Sequence, residues 1–340
     1  VFTPGGVEDD NAGAEVWITS NTILPPFGNG VDDVIGVWLH ALTTGGTVQN
    51  NLIAFRTPGT SAPQAAVGIL ARLSSGLMID HNRISAPGTI TGGEMEGIRL
   101  SATTDSQVLF NDILVSGAGL TGGYGLNVKL TSTGAQFKNN AISFSAGGSG
   151  GLTTATVRMD NTSMPGFQSD YNILFSSNST NSSIWGGAVV SLPQWRVASG
   201  QDGHSLTANH KWSNPVSGVE DFHALSQAGR WDPAGQTFVT DPQTSLTIDR
   251  ADPGAPFVNE PAPAGARANI GSYGNTVEAS KTQAAYLPVS CADGFNVIQD
   301  GSLDFKSVRE AAASVPSRLG GVFCVVVRDA NTYAESVVIS

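Results

Sequence analysis

The sequence predicts an all-β chain: a right-handed parallel β-helix solenoid with a short capping helix near the C-terminus. Three observations predict it. First, four segments repeat: GVWLHALTTGGTVQNNLIAF, GILARLSSGLMIDHNRIS, GIRLSATTDSQVLFNDILVS and GLNVKLTSTGAQFKNNAISF. Their leading glycines, Gly36, Gly68, Gly97 and Gly125, are spaced 32, 29 and 28. Their asparagines, Asn51, Asn82, Asn111 and Asn140, are spaced 31, 29 and 29. Two markers holding one period indicate a repeat architecture. Second, each unit carries short alternating apolar runs and no helical period, which suits strands. Third, only 13% of residues are charged while 40% are hydrophobic, with 41 Gly among the 340 residues. An ordinary domain is roughly 25% charged. That mixture fits a β-protein with many tight turns and not a disordered chain.

Residues 1–175 read as the coils. One coil cannot bury its apolar face alone, and stacking coils about 4.8 Å apart builds a continuous core. The asparagines then stand above one another. Asn tolerates the left-handed corner of a sharp turn and bonds neighbouring backbone. Asn51, Asn82, Asn111, Asn140 and Asn172 are therefore expected to form an internal ladder. After Asn140 the period is expected to shorten into a final coil.

Residues 176–280 are turn-rich and hold Trp185, Trp195, Trp212 and Trp231. They read as a closing segment over the last coil, because a solenoid must cover its end. SLPQWRVASGQDGHSL has room for one short helix. Residues 281–340 differ again. SLDFKSVREAAASVP reads as an amphipathic helix, capped by Ser302, with Asp304 in its first turn and Pro316 as its stop. Its apolar stripe is Leu303, Phe305, Val308, Ala312 and Val315. The strand VFCVVVRD and then TYAESVVIS follow. Cys291 and Cys324 are either a disulfide, in an oxidising compartment, or two buried free thiols.

The motifs SDYNILF, SLPQWRVASGQDGHSLTANHKW, DFHALSQAGRWDP and RANIGSYGNTVEAS resemble the closing region of bacterial secreted parallel β-helix proteins of the pectate-lyase-like superfamily. With the coils, the resemblance covers roughly residues 36–280. Residues 281–340 resemble the beginning of a β-helix in the same superfamily: a capping helix, a buried strand, then a Thr-Tyr-x-Glu-x-Val-x-Ile coil. The resemblance implies an architecture and leaves activity open, since that superfamily holds lyases, hydrolases, adhesins and modules of surface proteins.

Net charge is −11, which argues against a nucleic-acid partner, since phosphate binding needs clustered Lys and Arg. No apolar run reaches about 18 residues, so no transmembrane helix is expected. The start Val-Phe-Thr carries no signal-peptide pattern, so the expectation is a mature product or a piece of something longer.

The polar candidates are Asp80, His81 and Arg83 in MIDHNRIS, with Asp112 one coil on. Arg83 and Asp112 hold the same position relative to the ladder and are expected one rung apart, as a small polar site or an outward ion pair. Glu94 and Glu96 in TGGEMEG are either a calcium-binding pair or part of a solvated inter-coil loop. His204, His210 and His223 fit no zinc spacing. Trp185, Trp195 and Trp212 either stack on sugars or pack the closing segment. Asn161, Asn178 and Asn181 lie in Asn-x-Ser/Thr triplets.

A β-helix beginning thus follows a β-helix end. Placed in series, the end of one copy runs into the start of the next, TYAESVVIS before VFTPGG. The expected function is structural: a module of an extracellular filament or surface fibre, self-associating head to tail, with Tyr333, Val337, Val338 and Ile339 at the joint and no cofactor. The rivals are a polysaccharide lyase or hydrolase, and a glycan-binding adhesin. An enzyme requires an aligned carboxylate column beside a base, and the sequence offers none.

Overall fold

The structure, a computed structural model, describes residues 2–3, 6–9, 15–25, 33–55, 65–86, 94–117, 122–146, 153–177, 183–216, 218–282, 291, 293–299, 304–319, 321–329, 331–335 and 337. It is a parallel β-solenoid built from three sheets. The long sheet runs Gly6–Asp9, Val34–His40, Ala65–Arg72, Glu94–Ser101, Gly122–Lys129, Thr153–Met159 and Ser183–Trp185, with the antiparallel additions Phe2–Thr3 and Ala188–Val190 at its two ends. A second sheet stacks Val16–Thr19, Gly46–Gln49, Leu77–Asp80, Gln107–Leu109, Gln136–Lys138 and Gln168–Asp170. A third stacks Thr22–Ile23, Leu52–Ala54, Arg83–Ala86, Asp112–Gly117, Ala141–Ala146 and Ile173–Ser176.

The core is made of columns. Val37, Ile69, Ile98, Leu126 and Val157 rise on the long sheet, and Ile53, Ile84, Ile113, Ile142 and Leu174 on the third; all are fully buried. The repeated glycine answers to this isoleucine column. A Cβ on Gly36, Gly68, Gly97 or Gly125 would stand 2.6, 2.7, 2.4 or 2.4 Å from the Cγ2 of Ile53, Ile84, Ile113 or Ile142. It would also stand within 2.7 Å of a carbonyl oxygen on the next coil. Close packing leaves no room for it.

The coil after Asn140 does not shorten. Asn172 follows 32 positions later through a complete coil, because a turn around Asp160–Phe167 adds residues before Gln168–Asp170. Helix α1 (Leu192–Ser199) then plugs the end of the core. Ser191 and Gln194 form a capping box, and Gly200 closes the helix at φ 68°. Trp195 is fully buried there, edge-on to Phe167 and Trp185.

The closing segment and the C-terminal residues share a second apolar cluster that includes Phe110, Leu206, Ile270, Phe295 and Phe305. Strands Asp293–Val297 and Phe323–Val327 pair in parallel, and the disulfide Cys291–Cys324 crosses beside them. The second helix, α2, is shorter than its sequence suggests. It spans Val308–Ala313 with Ser307 as N-cap. Phe305 bridges Val297, and Asp304 accepts the Asn296 N–H at 2.7 Å, so both are held outside the helix. Ser302 and Leu303 lie outside the described residues, as do Val338 and Ile339.

Candidate functional site

Corners and ladder form one device. The corner residues Ser20, Asn50, His81, Phe110, Asn139 and Tyr171 hold φ between 52° and 59°, and each precedes an Asn. Asn51 donates its backbone N–H and Nδ2 to Asn82 Oδ1, at 3.1 and 3.0 Å. Asn82 does the same to Asn111, Asn111 to Asn140 and Asn140 to Asn172. These five are fully buried. Asn21 is a sixth rung that the sequence reading missed. It donates to Asn51 Oδ1 at 3.0 Å through both its N–H and its Nδ2. Its signal is present in full, an Asn two positions before Ile23 and 30 before Asn51, with Gly6-Val7 standing 15 positions ahead of it as Gly36-Val37 stands ahead of Asn51.

The structure brings Asp80, His81, Arg83 and Asp112 to one corner, covered by the closing segment. Arg83 and Asp112 are register partners on neighbouring rungs. Arg83 reaches Tyr273 Oη at 3.1 Å and the Asn50 carbonyl at 2.8 Å. Asp112 is buried and accepts the N–H and Oγ of Ser272, at 2.8 and 2.6 Å, and Trp212 Nε1 at 3.2 Å. Gly271, at φ 98°, is the residue that permits this approach, since a Cβ there would lie 2.4 Å from Asp112 Oδ1. His81 stacks on Phe110, with Nδ1 against Asp80 at 2.9 Å and Nε2 against the Gly274 carbonyl at 3.1 Å. Burial pushes the Asp112 carboxyl up to about 7, against the pull of its hydrogen bonds and of Arg83. The RANIGSYGN stretch is therefore a clasp. Asp112 holds Ser272, and Glu260, also pushed to about 7 by burial, accepts the N–H groups of Asn269 and Asn275 at 2.8 Å. His81, Arg83 and Asp112 bond the protein's own closing segment, and Asp80 bonds His81 and Gln49.

His223 lies under Tyr273, its Nδ1 against Asp221 at 2.5 Å. His204 pairs with Asp170 at 2.8 Å and stacks on Tyr171. Burial pushes His210 down to about 3; it bonds the Ile173 carbonyl at 3.1 Å. Among the described residues no group of three His, Cys, Asp or Glu is placed to hold a metal. Trp212 stacks on His210 within the second apolar cluster, and Trp185 packs against the core. Asn178 and Asn181 lie outside the described residues; Asn161 is exposed.

A second cluster stands on the outward face of the long sheet. Glu94 and Glu96 belong to a strand there and not to a loop. Glu96 is fully buried, gripped by Arg99 Nε and Nη2 at 2.8 and 2.6 Å and by Asn127 Nδ2 at 3.0 Å. Arg158 bonds Asn127 Oδ1 at 3.1 Å and lies over the Tyr124 ring. Columns Leu70–Arg99–Asn127–Arg158 and Arg72–Ser101–Lys129 place four cations near two carboxylates. Glu96 shares its column with Val67, Tyr124 and Ala155, so no carboxylate column forms there.

Tyr333 and Val337, expected at a joint between copies, follow the disulfide in the chain. Tyr333 Oη donates to Asp329 at 3.0 Å and packs on the second cluster, while Val337 is exposed. Glu335 accepts the Ser307 hydroxyl and the Arg309 N–H, at 2.8 and 2.7 Å, at the start of α2. No family model, curated protein or solved structure matches this chain.

Proposed function

We propose that the chain is one module of an extracellular filament or surface fibre whose modules join head to tail, the C-terminal segment of one completing the solenoid of the next. The observation that carries this reading is a second sheet start behind the closed solenoid. Asp293–Val297 and Phe323–Val327 pair in parallel at an offset of 30. Val16–Thr19 and Gly46–Gln49, within the solenoid, have the same offset. A two-stranded pair is marginal alone and calls for further coils. Phe323–Val327 has one strand neighbour among the described residues, so its outer edge offers a template. Such a contact is heterologous and grows an open fibre. The disulfide supports an oxidising, extracellular setting. The likeness of the closing motifs to the pectate-lyase-like superfamily fits the reading, because those motifs serve closure. Sedimentation velocity with electron microscopy over a range of concentrations tests it: filaments with one constant axial repeat are expected, and a monomer at every concentration sinks it.

The four cations of the long sheet favour a second reading, an acidic glycan held on that face. They stand out in a chain of net charge −11. Binding of an acidic polysaccharide that weakens with salt, and falls severalfold in Lys129→Ala and Arg72→Ala, supports it; unsaturated products released from that polysaccharide would make it a lyase.

A further inference from the structure

We infer that the open rung at Asn21 receives a second copy of this chain, whose Asn331 lies over Asn21, a register that sets its residues 326–329, the end of strand Phe323–Val327 and the two residues after it, over Val16–Thr19. The inference rests on the head-to-tail reading and specifies its contact.

Among the described residues the ladder is capped at one end and open at the other. In five of its rungs, Oδ1 accepts both the N–H and the Nδ2 of the rung before. At the far end the Asn172 N–H goes to Ser205 Oγ at 2.8 Å, and its Nδ2 reaches Ser169 Oγ and Asp202 Oδ1 at 3.1 and 3.2 Å. Asp202 in turn accepts Trp195 Nε1 at 2.8 Å. That end is capped. At Asn21 no donor among the described residues reaches Oδ1, and the side chain is exposed. Each later rung also sends Nδ2 to a carbonyl of the coil before, as Asn51 does to Ile18 at 2.8 Å and Asn82 to Val48 at 2.8 Å. Asn21 has no such coil among the described residues.

The rung is already shaped for a neighbour. Ser20 holds φ 58°, the left-handed corner of every other coil. Beside it, Ser20, Asn21, Thr22 and Arg83 face Tyr273 and Glu278 across a cavity of about 300 Å³. The edge strand Val16–Thr19 pairs on one side only among the described residues and carries Trp17, 64% exposed. The long sheet is finished by the Phe2–Thr3 hairpin. Addition therefore falls on the second sheet and its corner.

The occupant follows from pitch and order. The C-terminal unit repeats at the offset of the coil it would precede. Its outer strand is followed by an exposed Asn, Asn331, four positions after Val327, where each strand of the second sheet is followed by its ladder Asn two positions on. Val322 and Val327 are 62% and 43% exposed on that unit and lie at the same joint.

Neighbouring rungs are one strand spacing apart, about 4.8 Å, within the Cα separation a disulfide spans. The test is the full chain carrying both Asn21→Cys and Asn331→Cys, oxidised under mild conditions and run on a non-reducing gel. Both native cysteines are already paired. A ladder of dimers, trimers and larger species is expected, with the 21–331 cross-link recovered by peptide mass spectrometry. Either single variant should stop at dimers. Circular dichroism of the reduced double variant confirms that the fold is retained. If the unmodified chain sediments as a polymer while the double variant yields no 21–331 cross-link, the assembly stands and this register is overturned. If the unmodified chain is monomeric and no cross-link forms, the head-to-tail reading falls with it.

Discussion

Asp112 is buried with three hydrogen-bond donors aimed at it, and its carboxyl is raised to about 7. The unfolded chain ionises Asp112 near pH 4, the folded chain near 7. Between those values the native state holds a proton that the unfolded state has lost, so stability falls as pH rises. Glu260 adds the same sign from the other side of the clasp. Asp112→Asn should flatten the loss between pH 4 and 7 by on the order of 4 kcal/mol, read from urea midpoints at several pH values. An unchanged pH slope would mean that Asp112 is ionised throughout. Gly97 makes a steric prediction. Gly97→Ala sets a Cβ against Ile113 and the Gly125 carbonyl and should cost about 1–3 kcal/mol. The cost should shrink in an Ile113→Ala background, where the clash with Cγ2 is gone; a double-mutant cycle measures that coupling.

Elements differ in how far they can be read from sequence. The coils were legible because their requirements are local. A glycine is needed wherever an isoleucine presses on the long sheet, and an asparagine follows the left-handed residue at one corner of each coil, though it does not itself take the left-handed conformation as expected. The clasp was illegible, because Asp112 and Ser272 meet across 160 positions with no shared period. Arg83 and Asp112 could be placed one rung apart, but the loop that covers them could not. The start of α2 was misread for a related reason: Phe305 fits a helical stripe, yet bridging Val297 in a parallel sheet buries it better. Helix α1 carries its own test. Trp195 fills the end of the core, so Trp195→Ala should cost about 3–5 kcal/mol. Hydrogen exchange should locate the loss in the last coil, around Gln168–Asp170 and Ile173–Ser176, and leave the coils near Ile53 protected. Reduction of Cys291–Cys324 should act on a different element, speeding proteolysis within residues 291–337 and sparing the solenoid.

At the scale of the whole molecule, the core is one-dimensional. Each coil touches the coils on either side, so stability is a sum of coil terms and interface terms. The columns of Val, Ile and Leu run from Ile18 and Ile23 to Leu174 and stop at Trp195, which α1 places across them. The capped end therefore gains little from a neighbour, whereas the Asn21 end has, among the described residues, a strand paired on one side only. A second copy seated there would add strand pairing, a ladder rung and cover for Trp17. Two copies joined in series on one polypeptide should then unfold at a higher denaturant midpoint than one copy, with a larger m-value if they unfold as a unit. The gain should vanish when Asn21→Ala and Trp17→Ser are placed in the second copy alone, because only that copy's open end lies at the joint. Equal midpoints for one copy and two would mean that the modules fold as independent beads, and that the solenoid does not continue from one into the next.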